Sequence, residues 1–146
     1  MSLKVELKPG ESIIIGECVV TNADHRTRLM IDGQVPILRK KDILTAKTAS
    51  SPAKRIYLAV QLMYTSRDQT AHHQVYFELV RDILRAAPTT WPFIESINNH
   101  ILSGELYKAL KQAKKLIAYE AELVSNAMSG KSQPDGAETT RKSTRA

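Results

Sequence analysis

The 146-residue chain carries 21 Lys and Arg residues against 15 Asp and Glu residues, a formal net charge of +6, and 42% of its residues are hydrophobic. This composition is typical of a soluble globular protein and excludes a disordered or collagen-like chain. The single cysteine excludes an internal disulfide, and neither a signal peptide nor an apolar run of about 20 residues is present, so we expect a cytoplasmic protein with no membrane contact.

Residues 1–49 are predicted to form a small antiparallel β module. Apolar and charged residues alternate over Leu3–Lys8, which is the period of a half-buried strand. Four further short strands are expected on apolar and β-branched runs, at residues 12–16, 18–21, 26–31 and 35–38. The Asp32-Gly33 pair is typical of a β-hairpin and predicts pairing of the fourth and fifth strands. Pro36 favours an edge position for the fifth strand or the start of a strand.

Residues 50–128 change to the periodicity of amphipathic helices. Proline, glycine and capping residues divide them into four helices, over about 52–65, 69–87, 91–102 and 105–128. Ser51 before Pro52 is a typical N-cap. The aromatic side chains at helical spacing are expected in the core, with a groove for a partner as the alternative: Tyr64, Tyr76, Trp91 and Phe93. Residues 129–146 contain no Leu, Ile, Val or aromatic residue and are predicted to be a disordered basic tail, so the expected fold class is α+β.

The sequence contains no recognisable catalytic or metal-binding constellation. Adjacent His72 and His73 would point about 100° apart on a helix and cannot clamp one metal ion well. No CxxC, HExxH, Walker, GxGxxG or GxSxG string occurs. Cys18, within a predicted strand, is interpreted as a small buried hydrophobic residue. We therefore expect that the chain is not an enzyme and that it binds no cofactor or metal ion.

Three consecutive bases, Arg39, Lys40 and Lys41, follow the predicted edge strand. Such a cluster suits the phosphates of a flexible single-stranded nucleic acid. It equally suits the protection of an edge strand against aggregation. Residues 1–50 contain no Phe, Trp or Tyr, so base stacking is not expected to be the main mode of recognition by this module.

Three strings of the β module resemble the CsrA family of small RNA-binding β proteins: Lys8–Gly16, Arg28–Gly33 and Pro36–Ile43. The resemblance implies RNA contacts on the first strand and on the strand beside it that ends at Arg39 and Lys40, where Lys40 replaces the family's arginine. The candidate RNA-binding residues are Lys4, Val5, Lys8, Arg26, Arg28, Arg39, Lys40 and Lys41. In CsrA these strands come from two intertwined chains, so a homodimer and a single chain capped by its helices are both open.

Longer strings resemble the FlbT family of flagellum biosynthesis repressors, over roughly residues 2–128. They are Leu3–Glu11, Lys40–Leu44, Pro52–Tyr64 and Ile97–Gly104. The resemblance implies association with the 5′ untranslated region of flagellin mRNA, reduced translation and promoted transcript decay, with the flagellar regulator FlaF as a counterpart.

Two functional hypotheses follow. In the first, the chain is an RNA-binding repressor whose β module is the RNA surface and whose helices support it or make dimer contacts. In the second, the helical region makes the chain a protein-interaction adaptor that acts with FlaF or flagellin, without direct RNA readout. The polar segment Asn98–His100 is interpreted as a solvent face or a hydrogen-bond cluster at a helix end, with contact to RNA or FlaF as the alternative.

Overall fold

The computed structural model describes residues 2–131, so the predicted tail from residue 132 onward lies outside the described residues. Five strands come first: β1 (Ser2–Leu7), β2 (Ser12–Ile15), β3 (Cys18–Thr21), β4 (Thr27–Asp32) and β5 (Ile37–Arg39). The helices follow: α1 (Pro52–Thr65), α2 (His73–Ala86), α3 (Trp91–Leu102) and α4 (Leu106–Lys131). This confirms the α+β fold class. Helix α4 continues through 129–131, which the sequence pattern assigned to the tail.

The strands form two small antiparallel sheets, one of β1 and β4 and one in the order β3-β2-β5. The sheets are joined by an apolar cluster of buried side chains from both, namely Val5, Leu7 and Ile13. Alternation along β1 sends Lys4 and Glu6 to the exposed face, as the period of two predicts. The alternation in the sequence therefore identified the buried positions Val5 and Leu7 correctly, whereas Leu3, on the same face, is exposed.

The predicted hairpin at Asp32-Gly33 is wrong. Strand β4 pairs with β1, where Asp32 lies opposite Ser2, and β5 pairs with β2, where Ile37 lies opposite Ile15. The turn therefore crosses from one sheet to the other, with Gly33 at a φ of 121° that favours glycine. The crossing allows β4 to pair with β1 in one sheet while β5 joins the other sheet and reaches the helices. The predicted edge position of β5 is confirmed.

The helices cover the other face of the β3-β2-β5 sheet. Leu38 of β5 is buried in the main core, and Ile14 of β2 packs against it. The rest of this core comes from the helices, and α4 packs against both α1 and α3. Since Ile13 and Ile14 are neighbours on one strand, they serve the two apolar layers on opposite faces of the sheet. The structure thus has three layers: the β1-β4 sheet, the β3-β2-β5 sheet and the helices.

The predicted N-cap of α1 is confirmed. The Ser51 hydroxyl accepts a hydrogen bond from the Lys54 backbone N–H at 3.2 Å, and Pro52 lies in the first turn. The Glu120 carboxylate of α4 also accepts bonds from the Ser51 hydroxyl and from the Ala53 N–H, the latter at 2.9 Å. A carboxylate at a helix N-terminus is favourable because the helix dipole is positive there. Glu120 therefore fixes the beginning of α1 against α4.

Some predicted core positions are corrected by the structure. Cys18 is exposed, as are all four residues of β3, an edge strand that contributes no side chain to either apolar cluster. Trp91 at the first turn of α3 is exposed as well, whereas Tyr76 is buried. The Tyr76 hydroxyl donates to Asn98 Oδ1 at 2.6 Å, and His100 Nδ1 lies 3.2 Å from Glu105 Oε1. Asn98 and His100 thus make hydrogen bonds within the chain near the end of α3.

Within residues 2–131, no helix combines the length and apolar character that crossing a bilayer requires.

Candidate nucleic-acid interface

The basic residues predicted to bind RNA lie in two separate places. The first is the β1-β4 sheet. Lys4 and Arg28 lie on its outer face, and Lys8 and Arg26 are exposed at its end. Acidic side chains are interspersed there: Glu6 lies opposite Arg28 and is 3.8 Å from Arg26. A face of mixed charge attracts phosphates only weakly, because each carboxylate offsets a nearby base.

The second place is the end of β5. Arg39 ends the strand, and a 3-10 turn of Lys40–Asp42 follows, with Arg39, Lys40 and Lys41 all exposed. Val5, by contrast, is 1% exposed and lies between the two sheets. The Val5 side chain therefore lies neither on the outer face of the β1-β4 sheet nor at the end of β5, and the structure does not bring it together with the basic residues there.

A cleft of about 510 Å³ lies between β5 and the beginning of α4. Its polar lining consists of Arg39, Lys41, Asp42, Tyr64, Tyr107 and Lys114. Its apolar wall consists of Leu3 of β1, Val35 and Ile37. Lys40 is exposed on the turn and is not among the lining residues. We call this feature the β5–α4 cleft.

The segment that carries the bases is held in place by one face of α1. Tyr57, Gln61 and Tyr64 are spaced by four and three residues, which places them on the same side of a helix. The Tyr57 hydroxyl donates to the Asp42 carbonyl oxygen at 2.7 Å. The Gln61 amide binds both backbone groups of Leu44, donating to the carbonyl at 3.0 Å and accepting from the N–H at 2.8 Å. We call these three side chains the α1 clamp.

Tyr64 completes the α1 clamp at the outer edge of β5. Its hydroxyl lies 3.2 Å from both the N–H and the carbonyl oxygen of Ile37. Exposed strand edges are prone to unwanted pairing, so this hydroxyl protects the edge as well as positioning it. Burial raises the pKa of Tyr64, against the lowering effect of the bond to Ile37, and burial together with the Asp42 charge raises that of Tyr57. Both hydroxyls therefore remain protonated donors at neutral pH.

Helix α4 brings one cation, Lys114, to the cleft and two more, Lys111 and Lys108, to the cavities beside it. Lys114 forms an ion pair with Asp42, whose side chain is only 13% exposed. Lys111 places its ammonium 5.0 Å from the ring centroid of Tyr107. Lys108 binds Glu105 at 2.9 Å. Because Asp42 is already paired, the cleft presents net positive charge to a ligand.

Sequence reasoning missed the contribution of the helices to this site. Lys111 and Lys114 are part of a lysine pattern that marks exposed faces of α4, but nothing in that pattern connects them with Arg39. Aromatic rings are absent from residues 1–50, yet Tyr64 and Tyr107 line the cleft together with the basic residues Arg39 and Lys41. The absence of aromatic residues from the β module therefore does not exclude stacking at the folded surface. A readable signal for the α1 clamp was the polar Gln61 within an apolar helix.

The CsrA-like juxtaposition of the first strand with the strand ending at Arg39 and Lys40 is not found among residues 2–131. Strand β1 pairs with β4, and β5 pairs with β2. Leu3 nevertheless borders the same cleft as Arg39, so β1 approaches β5 without a shared ladder. In the described part of the chain, no group of three or more His, Cys, Asp or Glu side chains is placed to hold a metal ion.

Comparison with known proteins gives a consistent result. A family model described as flagellar protein FlbT matches residues 3–124. A Bradyrhizobium diazoefficiens protein named probable flagellum biosynthesis repressor protein FlbT 1 is 64% identical over 124 residues, covering 84% of this chain and 85% of its own. A Rhodopseudomonas palustris protein named probable flagellum biosynthesis repressor protein FlbT is 53% identical over 125 residues, covering 86% and 99%.

A more distant relative is the flagellum biosynthesis repressor protein FlbT of Caulobacter vibrioides. It is 34% identical over 135 residues, covering 89% of this chain and 94% of its own. No solved structure matches the chain.

Proposed function

Because the chain belongs to the FlbT family of flagellar proteins, we propose that it is a cytoplasmic post-transcriptional repressor of flagellin synthesis. In this proposal it binds the 5′ untranslated region of flagellin mRNA, reduces translation and promotes transcript decay. The names of its relatives support repression of flagellum biosynthesis. The β5–α4 cleft supports the RNA-binding step.

The observation that carries the proposal is the charge of the cleft. Three cations, Arg39, Lys41 and Lys114, line it together with one carboxylate, Asp42, which is paired with Lys114. The planar Arg39 guanidinium suits bidentate contact with a phosphate, and the lysines act as point charges. This arrangement favours an anionic, extended ligand.

Binding alone is sufficient for repression. A leader segment held by protein is unavailable to the ribosome, and a transcript that is not translated is more open to nucleases. The role of the chain is then to hold RNA, which requires cations and exposed rings but no catalytic group. The α1 clamp contributes by fixing the backbone on which Arg39 and Lys41 are mounted.

The salt dependence of binding to a flagellin 5′ leader RNA tests this proposal. Each phosphate contacted on a single strand contributes a slope of about −0.7 to log K against log salt, so we expect about −2 for three cations. Fluorescence anisotropy over a salt series measures it, with a scrambled leader as competitor. A preference for the true leader supports the proposal. Weak binding that ignores both salt and competitor contradicts it.

A second candidate function, a protein-interaction adaptor, is favoured by a different surface. A groove of about 790 Å³ between the beginning of α1 and the second half of α4 has apolar walls that include Pro52, Ile117, Val124 and Met128. Val124 is 55% exposed there. Grooves of this kind accept amphipathic helices of other proteins, and FlaF or flagellin would be the partner. Failure of the leader RNA to bind would leave this groove as the functional surface.

A further inference from the structure

The ring of Tyr107 is at the centre of the surface between the β module and α4. Besides the β5–α4 cleft, Tyr107 lines a neighbouring cavity of about 500 Å³ together with Lys108 and a small one of about 70 Å³ together with Lys111. The three cavities therefore follow the first turns of α4 and share one aromatic ring. Lysines at spacings of three residues accompany it along the helix.

The Tyr107 side chain is available to a ligand. It is 46% exposed, although it packs at a ring-centroid distance of 5.8 Å and an angle of 43° against Tyr64. The Lys111 ammonium lies 5.0 Å from the ring centroid, within the range of a cation–π contact. The Lys111 stem is flexible, so its ammonium can leave the ring for a phosphate when another group stacks there.

The chemistry of this arrangement matches unpaired nucleotides. Proteins that bind single strands combine a basic groove for the backbone with aromatic rings on which bases stack. A base in a duplex is stacked on its neighbours and has no free face. The cleft volume of about 510 Å³ is in the range that holds a small ligand, which is the scale of a nucleotide rather than that of a duplex.

Building on the proposed function, we propose that Tyr107 is a stacking platform for one unpaired base of the bound RNA. Lys111 and Lys114, on the next two turns of α4, bind the phosphates that flank this base. The RNA bound in the cleft is then single-stranded, and α4 contributes as much to RNA binding as the β module does.

Substitutions at Tyr107 test the stacking. We expect Tyr107→Ala to weaken binding to the flagellin leader RNA about tenfold and to leave the salt slope unchanged, because stacking releases no counterions. Tyr107→Phe keeps the ring and is expected to bind within about twofold of wild type, since the π-face carries the stacking. A leader labelled with 2-aminopurine should be quenched on binding to wild type and to Tyr107→Phe, and not to Tyr107→Ala.

The outcomes separate this inference from the proposed function. If wild type binds the leader but Tyr107→Ala binds it equally well, with the same quenching, the stacking platform is wrong and the function stands. If the leader annealed to its complement binds as tightly as the single strand, the single-strand assignment is wrong. If wild type binds no leader at all, the proposed function itself fails. A melting curve for each variant confirms that it is folded.

Discussion

Alanine at both Arg39 and Lys114 is expected to lower the affinity for a flagellin 5′ leader RNA about a hundredfold. A hydrogen bond to a charged group contributes about 1.5–3 kcal/mol, and a hundredfold loss corresponds to about 2.7 kcal/mol, so two losses at the lower end of that range account for it. The loss of Lys114 has a second consequence, because it leaves the largely buried Asp42 carboxylate unpaired at the edge of the cleft. That carboxylate then repels phosphate. Fluorescence anisotropy at fixed salt measures the change.

The matched control for this pair is Lys4→Ala combined with Arg28→Ala. It removes the same number of charges from the outer face of the β1-β4 sheet, where Glu6 lies opposite Arg28. We expect less than about a threefold loss of affinity, as is usual for exposed charges that make no direct contact. If the control loses as much affinity as Arg39→Ala with Lys114→Ala, RNA lies on the outer sheet face and the cleft assignment is wrong.

Methionine at Gln61 is expected to lower the free energy of unfolding by about 2 kcal/mol. Methionine has nearly the same length and volume, so the change removes the two hydrogen bonds to Leu44 and leaves its N–H and carbonyl without partners in a part-buried place. For a chain of this size the melting temperature should fall by about 4–8 °C. Thermal unfolding followed by circular dichroism measures it.

Gln112→Met on α4 provides the control for Gln61→Met. The Gln112 side chain makes no hydrogen bond within the described residues 2–131, so we expect a change of less than about 0.5 kcal/mol. RNA affinity supplies a second readout, since loosening of the α1 clamp releases the segment that carries Arg39. Equal stability of the two variants would show that the Gln61 amide does not hold this segment.

The local features of the fold were predictable from the sequence. The alternation over Leu3–Lys8 and the cap at Ser51 before Pro52 depend on a few neighbouring residues, so short-range physical rules identify them. Strand pairing, by contrast, depends on residues far apart in the chain. The pairing partner of β4 depends on which apolar side chains pack between the two sheets. This packing overrode the hairpin propensity of Asp32-Gly33. The exposure of Cys18 was not predictable for a related reason, since it depends on neither apolar cluster reaching β3 in the folded chain.

Only part of the candidate site was predictable from the sequence. Arg39, Lys40 and Lys41 are a local run of charge, which a single sequence shows directly. Tyr107 and Lys114 meet that run only after α4 has packed against α1, and no periodicity connects positions so far apart in the chain. The mixed charge around Arg28 was also hidden, because Glu6 comes opposite it only through the register of β1 and β4.

The most direct test of the RNA-binding cleft is ultraviolet cross-linking of the full-length protein to a flagellin 5′ leader RNA, followed by mass spectrometry of the cross-linked peptides. We expect cross-links at Tyr107 and within residues 37–42, which meet at the β5–α4 cleft. A scrambled RNA at the same concentration should give fewer of them. Cross-links confined to the outer face of the β1-β4 sheet, or to the groove around Val124, would contradict the assignment of the cleft as the RNA-binding surface.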